Sequence, residues 1–502
     1  MTTTAAESTD TPRPLVRRIG LALGPLLFAA CVLASSATTG AAVDQWYVAG
    51  TVAWTATWWF TESLPIAATS LLPAVLLPAT GVLDADRTYA SYADSVVLLF
   101  LGGFIVALAI EHHGLHRRAA LMTLAVAGTG PRTLLAGLMT VAAVLSAWIS
   151  NTAAAMMLLP IVASMSAPDE RPAHEAPPPP PPMGDDDLAE QRQARALLLG
   201  LAYATTLGGL ATLIGTPPNA ILAALAEELT GTQVGFARWM LFAMPLSIAL
   251  LVSTWVVLVL AFRLPRRFPA GDRSRSVARR QLHELGRMRG AELRVLAVFA
   301  AMAIAWATRP LWDDALPFTV NDTTIALVAA LACFAIPEGG GRRGALLEWH
   351  ETRRLPWGVL LLLGGGIALA EGFTASGLDT RLGDSLGSLA GSPTWVVVGA
   401  TVLVAVLVTE VASNTASAAA LIPLAAAVGA ATGIDPLMLA IAAAVGSTCG
   451  FMMPAGTPPI ALAFSTGRLP IPTLVRTGAV IDVLAVLVVT VAVVTGVQLV
   501  WP

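Results

Sequence analysis

The sequence predicts an all-α polytopic membrane protein, with about 11 transmembrane helices and two re-entrant hairpins in an inverted-topology repeat. Three observations carry that expectation. The composition is too apolar for a water-facing surface, apolar segments of spanning length follow one another along the chain, and three motif pairs recur in the same order in its two halves. Of 502 residues, 56% are hydrophobic and 12% charged, where an ordinary globular domain carries about 25% charge. The mean hydropathy is +0.73. So few charges cannot cover a soluble surface, which excludes a soluble enzyme, a nucleic-acid binder and a disordered scaffold. A net charge of −3 gives no basic field for a polyanion. Cys31, Cys333 and Cys449 are scattered through apolar segments and prescribe neither a disulfide framework nor a metal cluster.

A spanning helix needs roughly 20 mostly apolar residues. Segments of that kind lie near 20–37, 45–61, 63–82, 93–111, 197–228, 239–262, 293–312, 322–336, 355–372, 437–466 and 477–500. Two further apolar stretches, 132–166 and 393–430, each carry Ser-Asn-Thr at the middle. Polar backbone at membrane depth is tolerated only inside protein or against a cavity, so both are expected to be re-entrant hairpins. Residues 167–194, with the run Pro177 to Pro182 and then Asp185, Asp186 and Asp187, read as an extended cytoplasmic loop. The Arg-rich residues 263–292 suit a short amphipathic helix on an anionic membrane surface. Trp58 and Trp59 suit an interfacial belt.

Arginine placement gives the orientation. With the N-terminus cytoplasmic and each hairpin returning to its own side, only Arg87, Arg238, Arg309 and Arg381 of the 29 basic residues, all arginine, fall outside. The C-terminus is then extracytoplasmic.

The repeat comes next. VLLFLGGFIVALAIEHHGL (97–115) matches VLLLLGGGIALAEGFTASGL (359–378). Ser150-Asn151-Thr152 matches Ser413-Asn414-Thr415, and Gly215-Thr216-Pro217-Pro218 matches Gly456-Thr457-Pro458-Pro459. The offset is 262 or 263 for the first two pairs and 241 for the third, the Pro-rich loop of the first half making up the difference. Five spans separate the hairpins, and an odd number inverts one copy against the other.

These motifs have chemistry. Paired prolines inside an apolar helix deprive the carbonyls four residues back of partners: Leu213 and Ile214 in one copy, Pro454 and Ala455 in the other. Breaking a span this way exposes carbonyl oxygens and half-helix ends at the membrane midplane. Ser-Asn-Thr offers donors to an anion and oxygens to a small hard cation, or a polar tip satisfied by its own backbone. No arginine sits near the middle of an apolar segment, while Glu410 lies beside the second tip and Glu62 ends the second span. A bound anion therefore needs co-bound cations to offset its desolvation. His112, His113 and His116 at a helix end lack the spacing of a zinc site. No nucleophile–base pair suggests an enzyme, and no motif suggests an organic cofactor or a nucleic-acid partner.

ESLPIAATSLLP (62–73), ISNTAAAMMLLP, GGLATLIGTPPNAI, TEVASNTASAAALIPL and AGTPPIALAF together resemble the divalent anion:sodium symporter family, which includes the INDY-type dicarboxylate transporters and solute carrier family 13. The resemblance covers most of the chain. It implies a homodimeric elevator transporter that moves a dicarboxylate, citrate or sulfate with sodium ions, as a symporter or, in some members, an exchanger. It implies a first sodium site of Ser146, Ser150, Asn151 and the Gly215 carbonyl, and a second of Thr409, Ala412, Asn414 and the Gly456 carbonyl. Substrate would meet Ser150, Asn151, Thr152, Ser413, Asn414, Thr415, Thr457 and Pro458. Scaffold helices would occupy 20–128 and 293–390, after a cytoplasmic segment 1–19. A mobile transport domain would occupy 129–262 and 391–502, with broken helices 195–228 and 436–468 and a last helix 477–500. One departure stands out: Asn219 completes TPPN in the first half, but Ile460 replaces the asparagine in the second, removing an amide expected beside the substrate.

Overall fold

The computed structural model describes residues 14–126, 130–165, 185–266, 279–280, 282–288, 290–312, 317, 319–339, 342–378, 381, 391–454 and 456–502. These residues are mostly helical, and seven helices among them are long and apolar enough to cross a membrane. Most of the expected loop 167–194, and residues 267–278, 281 and 289 of the Arg-rich segment, lie outside the described residues.

The chain opens with α1 (Pro14–Ser35) packed along α2 (Ala41–Thr61). The span expected over 63–82 is instead two short helices, α3 (Ile66–Thr69) and α4 (Leu72–Thr80). Pro65 precedes the first and Pro73 lies in the opening turn of the second, positions where a proline starts a helix rather than continuing one. Then follow α5 (Ala85–Ala90), α6 (Ser95–His112) and α7 (Leu115–Val126). Asp84 and Asp94 cap α5 and α6, their carboxylates accepting the Arg87 and Val96 N–H at 2.8 and 2.7 Å.

The first hairpin is α8 (Pro131–Ser146) and α9 (Asn151–Met165), and the first broken helix is α10 (Asp185–Gly209) and α11 (Pro217–Thr230). α10 starts ten residues earlier than the expected 195. α12 (Phe236–Ala261), α13 (Gly290–Thr308), α14 (Asp322–Ala335) and α15 (Trp357–Ser376) follow. A two-stranded antiparallel ribbon, Pro337–Gly339 against Arg342–Ala345, lies between the last two; nothing in the sequence pattern announces it.

The second half repeats the unit as hairpin α16 (Thr394–Thr409) and α17 (Asn414–Thr432), broken helix α18 (Pro436–Gly446) and α19 (Pro458–Ser465), and last helix α20 (Ile471–Val500). In α20 the residues Asp482, Ala485, Val489, Val493 and Val497 form one buried stripe, while Val483, Leu487 and Val491 face outward. The outward face is as apolar as the inward one, the pattern of a helix set in lipid.

The halves interlock. The second arm of each hairpin lies on the second half-helix of the other repeat, α9 on α19 and α17 on α11, and α12 packs against α20. Trp58 and Trp59 are no interfacial belt: both are buried, Trp58 donating its indole N–H to the Gly20 carbonyl at 3.0 Å and Trp59 to Ser70 Oγ at 3.3 Å. Adjacent positions on one helix turn were spent on holding α1 and α3 against α2.

Candidate cation and anion site

Each hairpin tip is a four-residue gap between helices, 147–150 and 410–413. The gap closes where serine starts the next helix. Ser150 Oγ accepts the Ala153 N–H at 3.2 Å, and Ser413 Oγ accepts the Ala416 N–H at 3.3 Å. The serines thus spend an oxygen on capping, leaving asparagine and threonine as the first helical residues.

In the broken helices the prolines do not kink a continuous helix. Pro217-Pro218 and Pro458-Pro459 open the second half-helix, each preceded by an extended threonine, Thr216 at φ −145° and Thr457 at φ −140°. The breaks are the residues before them, 210–216 and 447–457. Gly215 is glycine because of close approach: a Cβ there would lie 2.5 Å from the Gly209 carbonyl oxygen and 3.0 Å from that of Ser146. Of the expected free carbonyls, Ala455 lies outside the described residues.

Tip and break meet in two matching cages of oxygen. One terminal atom of the Asn151 amide lies 2.6 Å from Ser146 Oγ and 3.2 Å from the carbonyl oxygens of both Thr205 and Gly215. The matching atom of Asn414 lies 2.8 Å from Thr409 Oγ1, 3.3 Å from the Ser447 carbonyl and 3.0 Å from the Gly456 carbonyl. Oxygen and nitrogen of an amide are assigned from surroundings, and here the two assignments mean different states. With NH2 facing in, the amide donates to all three oxygens. With oxygen facing in, it clusters with three other oxygens, a donor set of the kind a small hard cation takes. Ser146 and Thr409 are fully buried, and no arginine or histidine takes part in these contacts.

The cages bring together Ser146, Asn151 and Gly215 in one copy, and Thr409, Asn414 and Gly456 in the other. The carbonyls of Thr205 and Ser447 are additions that no sequence motif marks, since every residue carries one. Ser150 is exposed and capping, and Ala412 is buried with its own N–H bonded to the Val408 carbonyl at 3.0 Å. Thr152 and Thr415 are half-buried at the tips and Pro458 is exposed. Thr457 is 1% exposed, and its hydroxyl meets no described partner. α9 and α11 begin beside the first cage and α17 and α19 beside the second, so each cage adjoins two helix N-termini, whose dipoles favour an anion; α11 and α19 open on two prolines and offer no free N–H there, so donors come only from the first turns of α9 and α17.

Asn219 departs from its expected place beside substrate. It is fully buried, and its NH2 donates to the carbonyls of Gly209, Leu210 and Thr212 at 3.1, 3.2 and 2.8 Å, tying down the end of α10. Ile460 is likewise fully buried and offers no amide, so no such hold exists at the second break. Glu410 is 4% exposed and accepts the Met452 and Met453 N–H groups, each at 2.8 Å. Glu62 ends α2 in the left-handed region at φ 45°. His113 Nε2 meets the Leu346 carbonyl at 2.7 Å, His112 pairs with Glu351, and His116 Nδ1 meets the Ile110 carbonyl at 3.1 Å. All three hold the cytoplasm-side helix ends expected from the arginine pattern.

The sequence was missed at one acid. Asp482 sits inside the 30-residue apolar α20, and an ionisable group within a spanning segment is itself a functional signal.

Comparison with known proteins agrees with this architecture. The profile of the sodium:sulfate symporter transmembrane region matches residues 19–501. The chain is 37% identical over 480 residues to a sodium-dependent dicarboxylate transporter of Staphylococcus saprophyticus, covering 95% of this chain and 90% of that protein. It is 37% identical over 477 residues to the corresponding Staphylococcus aureus protein, covering 94% and 89%. Among solved structures, the YdaH transporter of Alcanivorax borkumensis aligns with a TM-score of 0.51 at 14% identity, over 97% of this chain and 99% of that one, a likeness of fold. This multi-pass membrane protein, with its duplicated hairpins and broken helices, belongs to the sodium:sulfate symporter transmembrane family, a family of transporters and not of enzymes.

Proposed function

We propose that the chain is a sodium-coupled symporter of a divalent anion, most simply a C4-dicarboxylate such as succinate, malate or fumarate. The observation that carries the reading is the pair of four-oxygen cages, each abutting two helix N-termini and neither served by a basic side chain. Sodium would be held by Ser146 Oγ, Asn151 Oδ1 and the Thr205 and Gly215 carbonyls, and by Thr409 Oγ1, Asn414 Oδ1 and the Ser447 and Gly456 carbonyls. The relatives' sodium-dependent dicarboxylate transport supports the choice of ions.

Coupling follows from the amides. When a cation enters, the asparagine must turn its oxygen inward, which turns its NH2 outward beside the helix N-termini. The same rotation therefore completes a cation site and presents a donor to a carboxylate, together with Thr152, Thr415 and Thr457. Without sodium the donor points inward and the anion meets no positive charge, at a cost of several kcal/mol per unneutralised charge in low dielectric. Pro458, Ser150 and Ser413 shape and cap the site, and Ala412 holds the second tip's turn.

The interlocked hairpins and broken helices, 129–262 with 391–502, suit a rigid transport domain moving against scaffold helices 20–128 and 293–390, as an elevator within a homodimer. The arginine distribution favours a cytoplasmic N-terminus and an extracytoplasmic C-terminus across eleven spans. The family's sodium:sulfate description favours sulfate as the second candidate.

Purified protein in liposomes, given labelled succinate with an inward sodium gradient or with choline, tests the reading. Uptake in sodium and none in choline is expected. Equal uptake in choline, accelerated by internal dicarboxylate, is exchange and would refute sodium coupling.

A further inference from the structure

The second break, 447–457, is held by groups that the first repeat lacks. Glu410 takes the Met452 and Met453 N–H groups, and Asp482 Oδ1 takes the Phe451 N–H at 3.1 Å. From the opposite side, the Tyr203 hydroxyl donates to the Phe451 carbonyl at 3.2 Å, with the two rings in an edge contact at 5.1 Å. The Phe451 peptide is thus gripped at its N–H by α20 and at its carbonyl by α10. Gly478, one turn before Asp482, has no Cβ, which lets the α20 backbone lie directly against that peptide.

Asp482 is 5% exposed, and its other oxygen, Oδ2, accepts no hydrogen bond from a described donor. The titratable groups around it are Glu410, Tyr203 and Cys449, with no arginine or histidine among them. A buried carboxylate in such surroundings is costly, and mere packing would be served better by an apolar side chain.

The first repeat solves the same problem with inverse polarity. There the offset of 263 puts Ala147 at the position of Glu410. The break is held through its carbonyls, by the Asn219 amide and by the Trp239 indole N–H, which reaches the Leu210 carbonyl at 3.0 Å. In the second break the N–H groups of three consecutive residues are occupied instead. From there the chain runs on to Gly456, which lies against the Gly450 and Thr409 carbonyls. The Gly456 N–H donates to the Met453 carbonyl at 3.1 Å, so the hold on 451–453 reaches the residue whose carbonyl enters the second cage.

We propose that Asp482 is a positioning residue of the second cation site, acting through the Phe451 peptide that it holds jointly with Tyr203. The inference rests on the sodium-symport reading above. It makes the two cation sites inequivalent: only the second depends on a contact from the last helix.

The test is labelled succinate uptake into liposomes at saturating succinate, titrated with sodium, for the full-length wild type and the variants Asp482→Ala, Asp482→Asn, Tyr203→Phe and Asn414→Ala. Asp482→Ala is expected to raise the half-saturating sodium concentration at least about fivefold with the maximal rate within about twofold, a split that general loosening of the fold does not give. Asp482→Asn keeps an acceptor at Oδ1 and should restore the half-saturation to within about twofold of wild type, while Tyr203→Phe should raise it about threefold. Unchanged half-saturation in either Asp482→Ala or Tyr203→Phe, or Asp482→Asn as impaired as Asp482→Ala, overturns the proposal. If Asp482→Ala cannot be recovered folded, Tyr203→Phe decides alone. Sodium-independent wild-type uptake refutes the symport reading itself. Sodium-dependent wild-type uptake, with Asn414→Ala shifted and Asp482→Ala not, refutes only the role of Asp482.

Discussion

Asn151 and Asn414 each hold three contacts on one amide atom, so truncating either should act on sodium and anion together. Asn151→Ala removes a cation ligand and the donor that turns outward with it; by linkage the two apparent affinities fall as one. A rise of about tenfold in half-saturating sodium corresponds to about 1.4 kcal/mol, the scale of one lost coordinating group. Uptake by Asn151→Ala with an unshifted sodium curve would refute the assignment. Asn219→Ala tests a different role. It strands three buried carbonyls at a cost of about 1–3 kcal/mol, and should lower the melting temperature of the purified protein with a smaller effect on sodium half-saturation. The tips were legible in the sequence because their chemistry lies in side chains, and because duplication separated Ser-Asn-Thr from chance. The Thr205 and Ser447 carbonyls were not, since backbone oxygens leave no trace in residue identity. The family resemblance led to an amide beside the substrate after the prolines, whereas Asn219 turns its amide back onto the end of α10.

At the scale of elements, the sequence pattern located the broken helices, and the carbonyl positions it singled out, 213–214 and 454–455, fall within the observed breaks 210–216 and 447–457; what differs is that the prolines start the second half-helix rather than interrupt a continuous one. The division of 63–82 into α3 and α4 follows the same rule. The tryptophan pair was read from frequency at membrane interfaces, while the indole N–H groups here find partners inside the fold. α7 is clamped to α13 by a buried pair: Arg118 Nε meets Glu292 at 2.7 Å, and its remaining nitrogens reach the Gly286 and Leu285 carbonyls at 2.8 and 3.4 Å. Glu292→Ala leaves that guanidinium buried without its carboxylate, and should cost about 3–5 kcal/mol of stability, seen as a fall in melting temperature. His116, just inside α7, has its pKa lowered by burial, against smaller raising effects of the Ile110 carbonyl and Glu111. A histidine held below its unfolded value binds more protons when unfolded, so stability should fall as pH drops below about 6.5. His116→Gln should flatten that slope between about pH 7 and 5.

For the whole molecule the question is charge. A dicarboxylate brings two negative charges to a region where the cages hold neutral oxygens, and where no basic side chain contacts the site. Two cages imply at least two sodium ions per turnover, which neutralise the dianion without excess. The nearest acidic side chains, Glu410 beside the second tip and Asp482 behind it, both hold the second break, so the two cages differ in their surroundings. Filling of one cage and then the other before the anion binds makes uptake a sigmoidal function of sodium, with a Hill coefficient above one. Two ions per dianion predict a rate insensitive to membrane voltage, while three predict acceleration by an inward-negative potential. Valinomycin-clamped liposomes distinguish these outcomes directly. Hyperbolic sodium dependence would mean that a single cage is coupled, and would refute the reading of two sodium ions per turnover.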